Sequence, residues 1–454
     1  MALRLAALWL AFALAAQSEA HHSVLMISVD GMRPDYVTQA DQHDLKIPHL
    51  RRFVSEGTYA SGVRGVYPTV TYPSHTTLVT GVWPAEHGIL NNQVFDPEHR
   101  YDGEWFWYAD QIHVPTLWDA AHAAKLGTAS VGWPVTVDDP SIDVVLPEYW
   151  RGTLTPEGGS NGDRFLMNAL SRPPGALAAM QKRLGPYLKG NEIGLEGDRI
   201  KTKFSVDIIR NDHPAFMTVH LSSLDEEEHL HEPFSPEANA DLEAIDDLIG
   251  QLIEASRQID PESTMVIVSD HGFAKIHTAV NLFIPFIQAG LVRLKTPSSP
   301  SSPVAVASWR AEPWSAGGMA AVMLHDPTDN AAREQVQHLL ENLAGASANG
   351  IDRILTGQQA RQLGAFPDAA FLVTFRVGYV AGPGFSGPLK VSVSGHGTHG
   401  YPPDDPDMYS SFFAIGPHLD RGHNLGRIDM RQIAPTIAKI LGVRLAAASA
   451  TPTM

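Results

Sequence analysis

Three short apolar runs, each followed by an aspartate, constrain this chain more than any other feature. Ser23 to Asp30 reads Ser-Val-Leu-Met-Ile-Ser-Val-Asp; Ala215 to Leu224 leads into Asp225; Met265 to Ser269 leads into Asp270. Runs of this length, apolar throughout and rich in β-branched residues, suit strands buried on both faces. Helical patterns separate them. Pro48 to Glu56, Thr116 to Lys125 and Glu196 to Asn211 read as helices, and Asn239 to Ser256 sets Leu242, Ile245, Ile249, Leu252 and Ile253 on one face. A further strand is expected over Thr128 to Trp133, with Gly127 capping the helix before it. Alternating strands and helices predict an α/β fold, a doubly wound, mostly parallel sheet with helices on both faces. Ligands of such sheets bind beyond the carboxyl ends of the strands, so Asp30, Asp225 and Asp270 are expected on one rim.

A second stretch is crowded with hydroxyls. Tyr67 to Gly81 reads Tyr-Pro-Thr-Val-Thr-Tyr-Pro-Ser-His-Thr-Thr-Leu-Val-Thr-Gly. Thr69, Thr71 and Ser74 fall just before or at the start of an expected short helix, with Pro73 in its first turn. A helix N-terminus offers unpaired N–H groups and partial positive charge, which favour an anion such as phosphate. Any of the three hydroxyls could serve as a nucleophile, although Thr/Ser/Pro clusters also make ordinary turns and caps.

Carboxylates and imidazoles complete the inventory. His229 stands four positions after Asp225, across the acidic run Glu226-Glu227-Glu228; His271 follows Asp270; and the loop Gly395-His396-Gly397-Thr398-His399-Gly400 offers two more histidines. With no cysteine in the chain, oxygen and imidazole nitrogen are the zinc ligands available. Three aspartates and three histidines could hold two ions, and two ions about 4 Å apart can stabilise both the attacking and leaving oxygens of a phosphoryl displacement. His396 and His399 compete for one ligand position.

Composition narrows the class. The 454 residues are 44% hydrophobic and 18% charged, ordinary values for a globular protein. A formal net charge of −17 argues against binding nucleic-acid polymers but leaves a small phosphorylated substrate open if metal reverses the local field. Arg4, the apolar run Leu5 to Ala16 and Ser18-Glu19-Ala20 read as a signal peptide over residues 1–20, followed by export to a periplasmic or secreted location. The run is about 12 residues, short of the roughly 20 that span a bilayer, and no later stretch is apolar enough to span. Composition shifts between Ile276 and Lys390, where Pro297 to Pro303 is a Pro/Ser stretch, Ala331 to Leu343 reads helical and Ala370 to Phe375 reads as a strand. The expected division is a catalytic core of residues 21–275 and 391–445, an inserted cap over 276–390 and a tail over 446–454. Core-like sequence returns at Met408 to Gly416 and in a final helix carrying Ile433, Ile437, Ile440 and Leu441.

Taken together, Asp30-Gly31-Met32-Arg33, Thr69 to His75, Leu78 to Gly81, His87-Gly88-Ile89, Asn92, Asp225 with His229, Asp270-His271-Gly272 and Gly397 to Tyr401 resemble the nucleotide pyrophosphatase/phosphodiesterase family of the alkaline phosphatase superfamily. The resemblance runs from about Ser23 to Gly442 in motif order and is weakest over Pro134 to Gly194 and Ile276 to Lys390. It implies an alkaline-phosphatase-like fold and assigns roles. Thr71 matches the nucleophile; Asp30, Asp270 and His271 match the ligands of the zinc that activates it; Asp225, His229 and His399 match those of a second zinc. Asn92 matches the side chain that holds a non-bridging phosphoryl oxygen. The family motif commonly has Phe-Pro-Asn-His where this chain has Tyr72-Pro73-Ser74-His75, and Tyr72 is expected to offer an aromatic face to the substrate.

The expected reaction is zinc-dependent hydrolysis of phosphodiester or pyrophosphate bonds in nucleotides or related small phosphodiesters, through a phosphothreonine at Thr71. Two zinc ions, three carboxylates and one alkoxide sum to about zero charge, which suits a diester monoanion better than a monoester dianion. The alternatives are a monoesterase or phosphonate hydrolase of the same superfamily, with Arg33 as a conceivable extra clamp, and a secreted zinc-binding protein without turnover. The last has no use for both Thr71 and Asn92.

Overall fold

Five parallel strands form the spine of an eight-stranded sheet in the computed structural model, which describes residues 22–98, 104–150, 163–189, 192, 194–296 and 304–454. The expected signal peptide, Pro297 to Pro303 and part of the Pro134 to Gly194 region lie outside these residues. Across the sheet the strands run His423–Asn424, Thr58–Tyr59, Phe412–Ile415, Thr264–Val268, Val24–Val29, Phe216–Leu221, Thr128–Val131 and Val144–Leu146. Phe412–Ile415 runs antiparallel to both its neighbours. The fold is the doubly wound α/β class expected from the strand and helix pattern.

The central strand shows why. Every residue of Val24–Val29 is buried, and its side chains alternate between two cores. Leu25, Ile27 and Val29 pack under the helices Leu195–Asp212 and Pro236–Ile259. Val24 and Met26 pack on the opposite face, with Leu78 and Val79 of the helix Thr71–Thr80 and Ile433 and Ile437 of the helix Ile433–Ile440. Each such aliphatic side chain contributes about 1.5–3 kcal/mol on burial, so the strand cannot slip by one residue without exchanging both cores.

The Leu117–Ala123 helix begins at the Thr116 cap as expected, but Gly127 does not end it. Lys125 takes the left-handed turn at φ 62° instead, and Gly127 already lies in the approach to the Thr128–Val131 strand.

After Asp270-His271 the chain leaves the sheet along the strand Ala274–Val280 and returns antiparallel to it along Lys390–Thr398. Between them lie a four-stranded antiparallel sheet, ordered Ala311–Ala316, Met319–Leu324, Phe371–Phe375 and Ile351–Thr356, and the helix Asn330–Gly345. One face of this sheet packs on that helix through Ala320, Val322 and Val373; the other packs Met319, Ala321 and Leu372 against Tyr67 and Val70. The second sheet is thereby seated on the loop that leads into the hydroxyl-rich helix.

Candidate active site

Thr264–Val268, Val24–Val29 and Phe216–Leu221 are neighbours in the sheet and parallel, so their carboxyl ends share one rim. Asp30 follows its strand directly, and Asp270 lies two residues past its own. Asp225 is placed differently from the expectation. Its strand ends at Leu221, and Asp225 sits in the first turn of the helix Ser223–Leu230. The carboxylate of Asp198 accepts the backbone N–H groups of Ser222 (3.0 Å) and Ser223 (2.9 Å), satisfying donors at the helix start, and Lys201 pairs with it at 2.7 Å. Asp225 and His229 thus share a helix face at i, i+4. Of the acidic run, Glu228 is not solvated: it is buried and accepts the Tyr36 hydroxyl at 2.8 Å.

Two ligand clusters result. Asp30, Asp270 and His271 form one; Asp225, His229 and His399 form the other; within each the candidate ligand atoms lie within 4.8 Å of one another. His399 arrives by strand register. Thr398 pairs with Ala274, so the returning strand delivers His399 beside His271, and the two imidazoles stack at 3.7 Å with planes 8° apart. His396 stays outside, exposed, with Nδ1 3.0 Å from the His229 carbonyl.

Hydrogen bonds divide each side chain between support and site. Asp30 Oδ1, Asp225 Oδ1 and Asp270 Oδ2 are buried without a hydrogen-bond partner. The second oxygens of Asp30 and Asp270 are held by His220 Nε2 (2.9 Å) and by Gly31 N–H (3.2 Å). The three histidines follow the same rule: Nδ1 of His229, His271 and His399 donates to the carbonyls of Gly397, Gly272 and Thr69 at 3.0–3.1 Å. A carbonyl only accepts, so each ring carries a proton on Nδ1 and turns Nε2 toward the cluster. Three orphaned buried oxygens and three oriented imidazole nitrogens are what divalent metal ions require, and isolated they are costly. Burial together with Asp270 and Asp225 pushes the Asp30 carboxyl well above its ordinary value. Burial works against protonation of His271, yet Asp270, Asp30 and Asp225 raise it to about 9.

Thr71 opens the helix Thr71–Thr80, with Oγ1 3.5 Å from His271 Nε2. Gly81 closes that helix in the left-handed region at φ 74°. Thr69 and Ser74 are buried beside it; Thr69 donates to the Tyr401 carbonyl at 2.7 Å. Asn92 Oδ1 accepts the Tyr72 N–H at 2.9 Å, which leaves its Nδ2 without a protein acceptor among the described residues. The ring of Tyr72 differs from the aromatic face expected of it. It is 0% exposed, enclosed edge-on by Trp105 and Trp107, with its hydroxyl donating to Glu148 at 2.5 Å. Tyr149 and Trp150 join the same aromatic group through Trp107. Arg33 is committed elsewhere, to Asp35 and Asp407 and over the ring of Phe234.

Three residues that sequence reasoning left without a role complete the site's walls. His75 donates from Nδ1 to the Thr71 carbonyl (2.9 Å) and accepts from the Ser28 hydroxyl (2.9 Å); burial and the neighbouring His220 keep it neutral, down at about 3. His220 sits between Asp30 and Glu148. Burial opposes its charge, but those two carboxylates hold it protonated, up at about 10. A histidine at the fifth of six positions in a wholly buried strand was the available signal for His220. Glu148 lies in a Pro/Gly-rich stretch that gave none.

The family model of type I phosphodiesterase / nucleotide pyrophosphatase matches residues 24–402. The chain belongs to that family. Among its relatives in this family, ectonucleotide pyrophosphatase/phosphodiesterase family member 1 of Mus musculus is 25% identical over 258 residues, 55% of this chain and 24% of that protein. An uncharacterized pyrophosphatase/phosphodiesterase of Schizosaccharomyces pombe is 27% identical over 260 residues, 56% of this chain and 45% of that one. The chain therefore spans under half the length of these relatives. The solved structure of human ectonucleotide pyrophosphatase/phosphodiesterase 5 superposes with a TM-score of 0.63 at 16% identity, covering 93% of this chain and 95% of that one. The solved structure of an inactive variant of murine ectonucleotide pyrophosphatase/phosphodiesterase 5, in complex with AMP, gives 0.62 at 16% identity over 93% of this chain and 96% of that one. These establish the type I phosphodiesterase fold. No helix among the described residues is long and apolar enough to cross a membrane.

Proposed function

We propose that this chain hydrolyses phosphodiester or pyrophosphate bonds in nucleotides or related small phosphodiesters, with Thr71 as nucleophile and two zinc ions as cofactors. The observation that carries the reading is the set of three orphaned carboxylate oxygens and three oriented imidazole nitrogens beside a threonine at a helix N-terminus. Asp30, Asp270 and His271 would hold one ion and Asp225, His229 and His399 the other, with Thr71 a further ligand. When bound, the two ions supply Lewis acidity at the attacking and leaving oxygens.

The chain's own residues do the rest. Thr71 Oγ1 forms a bond to phosphorus as the bond to the leaving oxygen breaks, giving a phosphothreonine ester; water then attacks the same phosphorus and Oγ1 departs. Asn92, its amide oriented by the Tyr72 N–H, directs Nδ2 at a non-bridging oxygen. His75 anchors the Thr71 carbonyl and so holds the first helical turn. Because Arg33 is tied to Asp35 and Asp407, no arginine clamp is free at that position for a monoester dianion. Residues 276–390 serve as a cap over a core of 21–275 and 391–445. Relatives named ectonucleotide pyrophosphatase/phosphodiesterase and venom phosphodiesterase support export.

Thr71→Ala is expected to abolish turnover of the p-nitrophenyl ester of thymidine monophosphate while retaining zinc and fold. Undiminished activity would overturn the assignment. Wild-type protein should prefer that diester to p-nitrophenyl phosphate; the opposite preference would favour the monoesterase.

A further inference from the structure

Behind the ligand clusters a hydrogen-bonded chain links Asn92 to Asp30 through side chains to which the proposed reaction gives no direct contact with substrate. Asn92 Oδ1 accepts from Tyr72 N–H (2.9 Å), the Tyr72 hydroxyl donates to Glu148 Oε1 (2.5 Å), Glu148 Oε2 lies 3.2 Å from His220 Nδ1, and His220 Nε2 lies 2.9 Å from Asp30 Oδ2. His220 is 1% exposed and Tyr72 0%, while the Glu148 side chain between them keeps 14% of its surface exposed. The His220 ring is fixed on its flank by the His75 ring at 4.4 Å, and Nδ1 also faces the Gly132 carbonyl at 3.1 Å. Every neighbour of its two nitrogens is thus an acceptor, so the ring donates in both directions.

We propose that Glu148 and His220 are positioning residues that fix the orientation of Asp30 and tie it to the helix start bearing Thr71. The geometry argues for this in two ways. Asp30 divides its oxygens, one bonded to His220 and one left bare toward Asp270 and His271, so His220 selects the carboxylate rotation that presents the bare oxygen. Glu148 also divides its oxygens, one for His220 and one for Tyr72, the residue after Thr71. A shift of Asp30 would therefore be communicated to the nucleophile's helix through the hydrogen-bonded side chains of His220 and Glu148. Outer partners of this kind typically govern metal affinity by about 10–100-fold.

This inference rests on the two-metal reading above, and its test is read on metal binding as well as turnover. Zinc affinity of the metal-stripped full chain is measured by competition with a chromophoric chelator, alongside kcat and KM on the thymidine diester. His220→Gln is expected to weaken binding at one of two sites by about 10–100-fold and to lower kcat with KM little changed. Tyr72→Phe cuts the chain on the other side of Glu148, so it should lower kcat with zinc affinity near wild type. Glu148→Gln keeps shape and the Tyr72 contact but weakens the hold on His220, and should fall between. His220→Gln protein that folds and binds zinc as tightly as wild type overturns the proposal, whatever its thermal stability. If His220→Gln does not fold, Glu148→Gln decides: weakened zinc affinity supports the proposal, and unchanged affinity overturns it whatever the kcat. Wild-type zinc binding without diester hydrolysis would sink the proposed function and leave this inference standing.

Discussion

At Gly31 the backbone turns out of the central strand at φ 73°, and its N–H holds Asp270. A Cβ there would lie 2.8 Å from Glu228 Oε2 and 3.1 Å from the Phe273 ring. Gly31→Ala should cost about 1–2 kcal/mol from the left-handed conformation alone, with crowding in addition, measurable as a lowered urea midpoint. Position 31 also shows what a residue list leaves out. The pair Asp30-Gly31 is plain in the sequence, whereas the reason for the glycine, a glutamate nearly 200 positions away, belongs to the fold. His396 and His399 make the same point. Three residues apart and chemically identical, they are separated by the register that pairs Thr398 with Ala274.

Among the elements, the Ser223–Leu230 helix owes its start to Asp198, a residue of another helix. Asp198→Ala would remove acceptors from two N–H groups and strand the buried Lys201 ammonium, costing about 3–5 kcal/mol. Because the helix carries Asp225 and His229, zinc affinity should fall with stability; denaturant titration and metal analysis check both. Asp241 packs on the same turn, accepting the Ser223 hydroxyl at 2.8 Å. Burial, and after it Asp198, Glu227 and Glu226, push its carboxyl from 3.8 to about 7. The folded state thus binds this proton more tightly than the unfolded one. The associated stability is complete below about pH 4 and is lost as pH rises toward about 7. Asp241→Asn should accordingly stabilise the protein at pH 8, by an amount on the order of a few kcal/mol at most, with no gain at pH 3.5. Urea melts at the two pH values test it; an equal effect at both would contradict the assignment.

For the whole molecule, one rim gathers three carboxylates whose free oxygens have no partner. Zinc that binds only the folded state should raise stability by about 2.7 kcal/mol at 100 times its Kd. Chelation should lower Tm and zinc should restore it; a Tm indifferent to zinc would count against the metal sites. Much of this rim was legible beforehand. Apolar β-branched runs ending near aspartates predicted a parallel sheet and one carboxyl edge, because buried strands and the ligand position of such sheets follow from local pattern. Motif resemblance then singled out Thr71, Asn92 and six candidate ligands. What tertiary structure alone decided was the placement around them. Asp225 lies on a helix because a distant carboxylate caps it, and the Tyr72 ring is enclosed because Trp105 and Trp107 fold over it. Glu148 meets His220, and His220 meets Asp30, only through the packing of the sheet, across 72 and 190 residues of sequence respectively. Local pattern determines which strand a residue ends; contacts between strands determine which of its oxygens remains free.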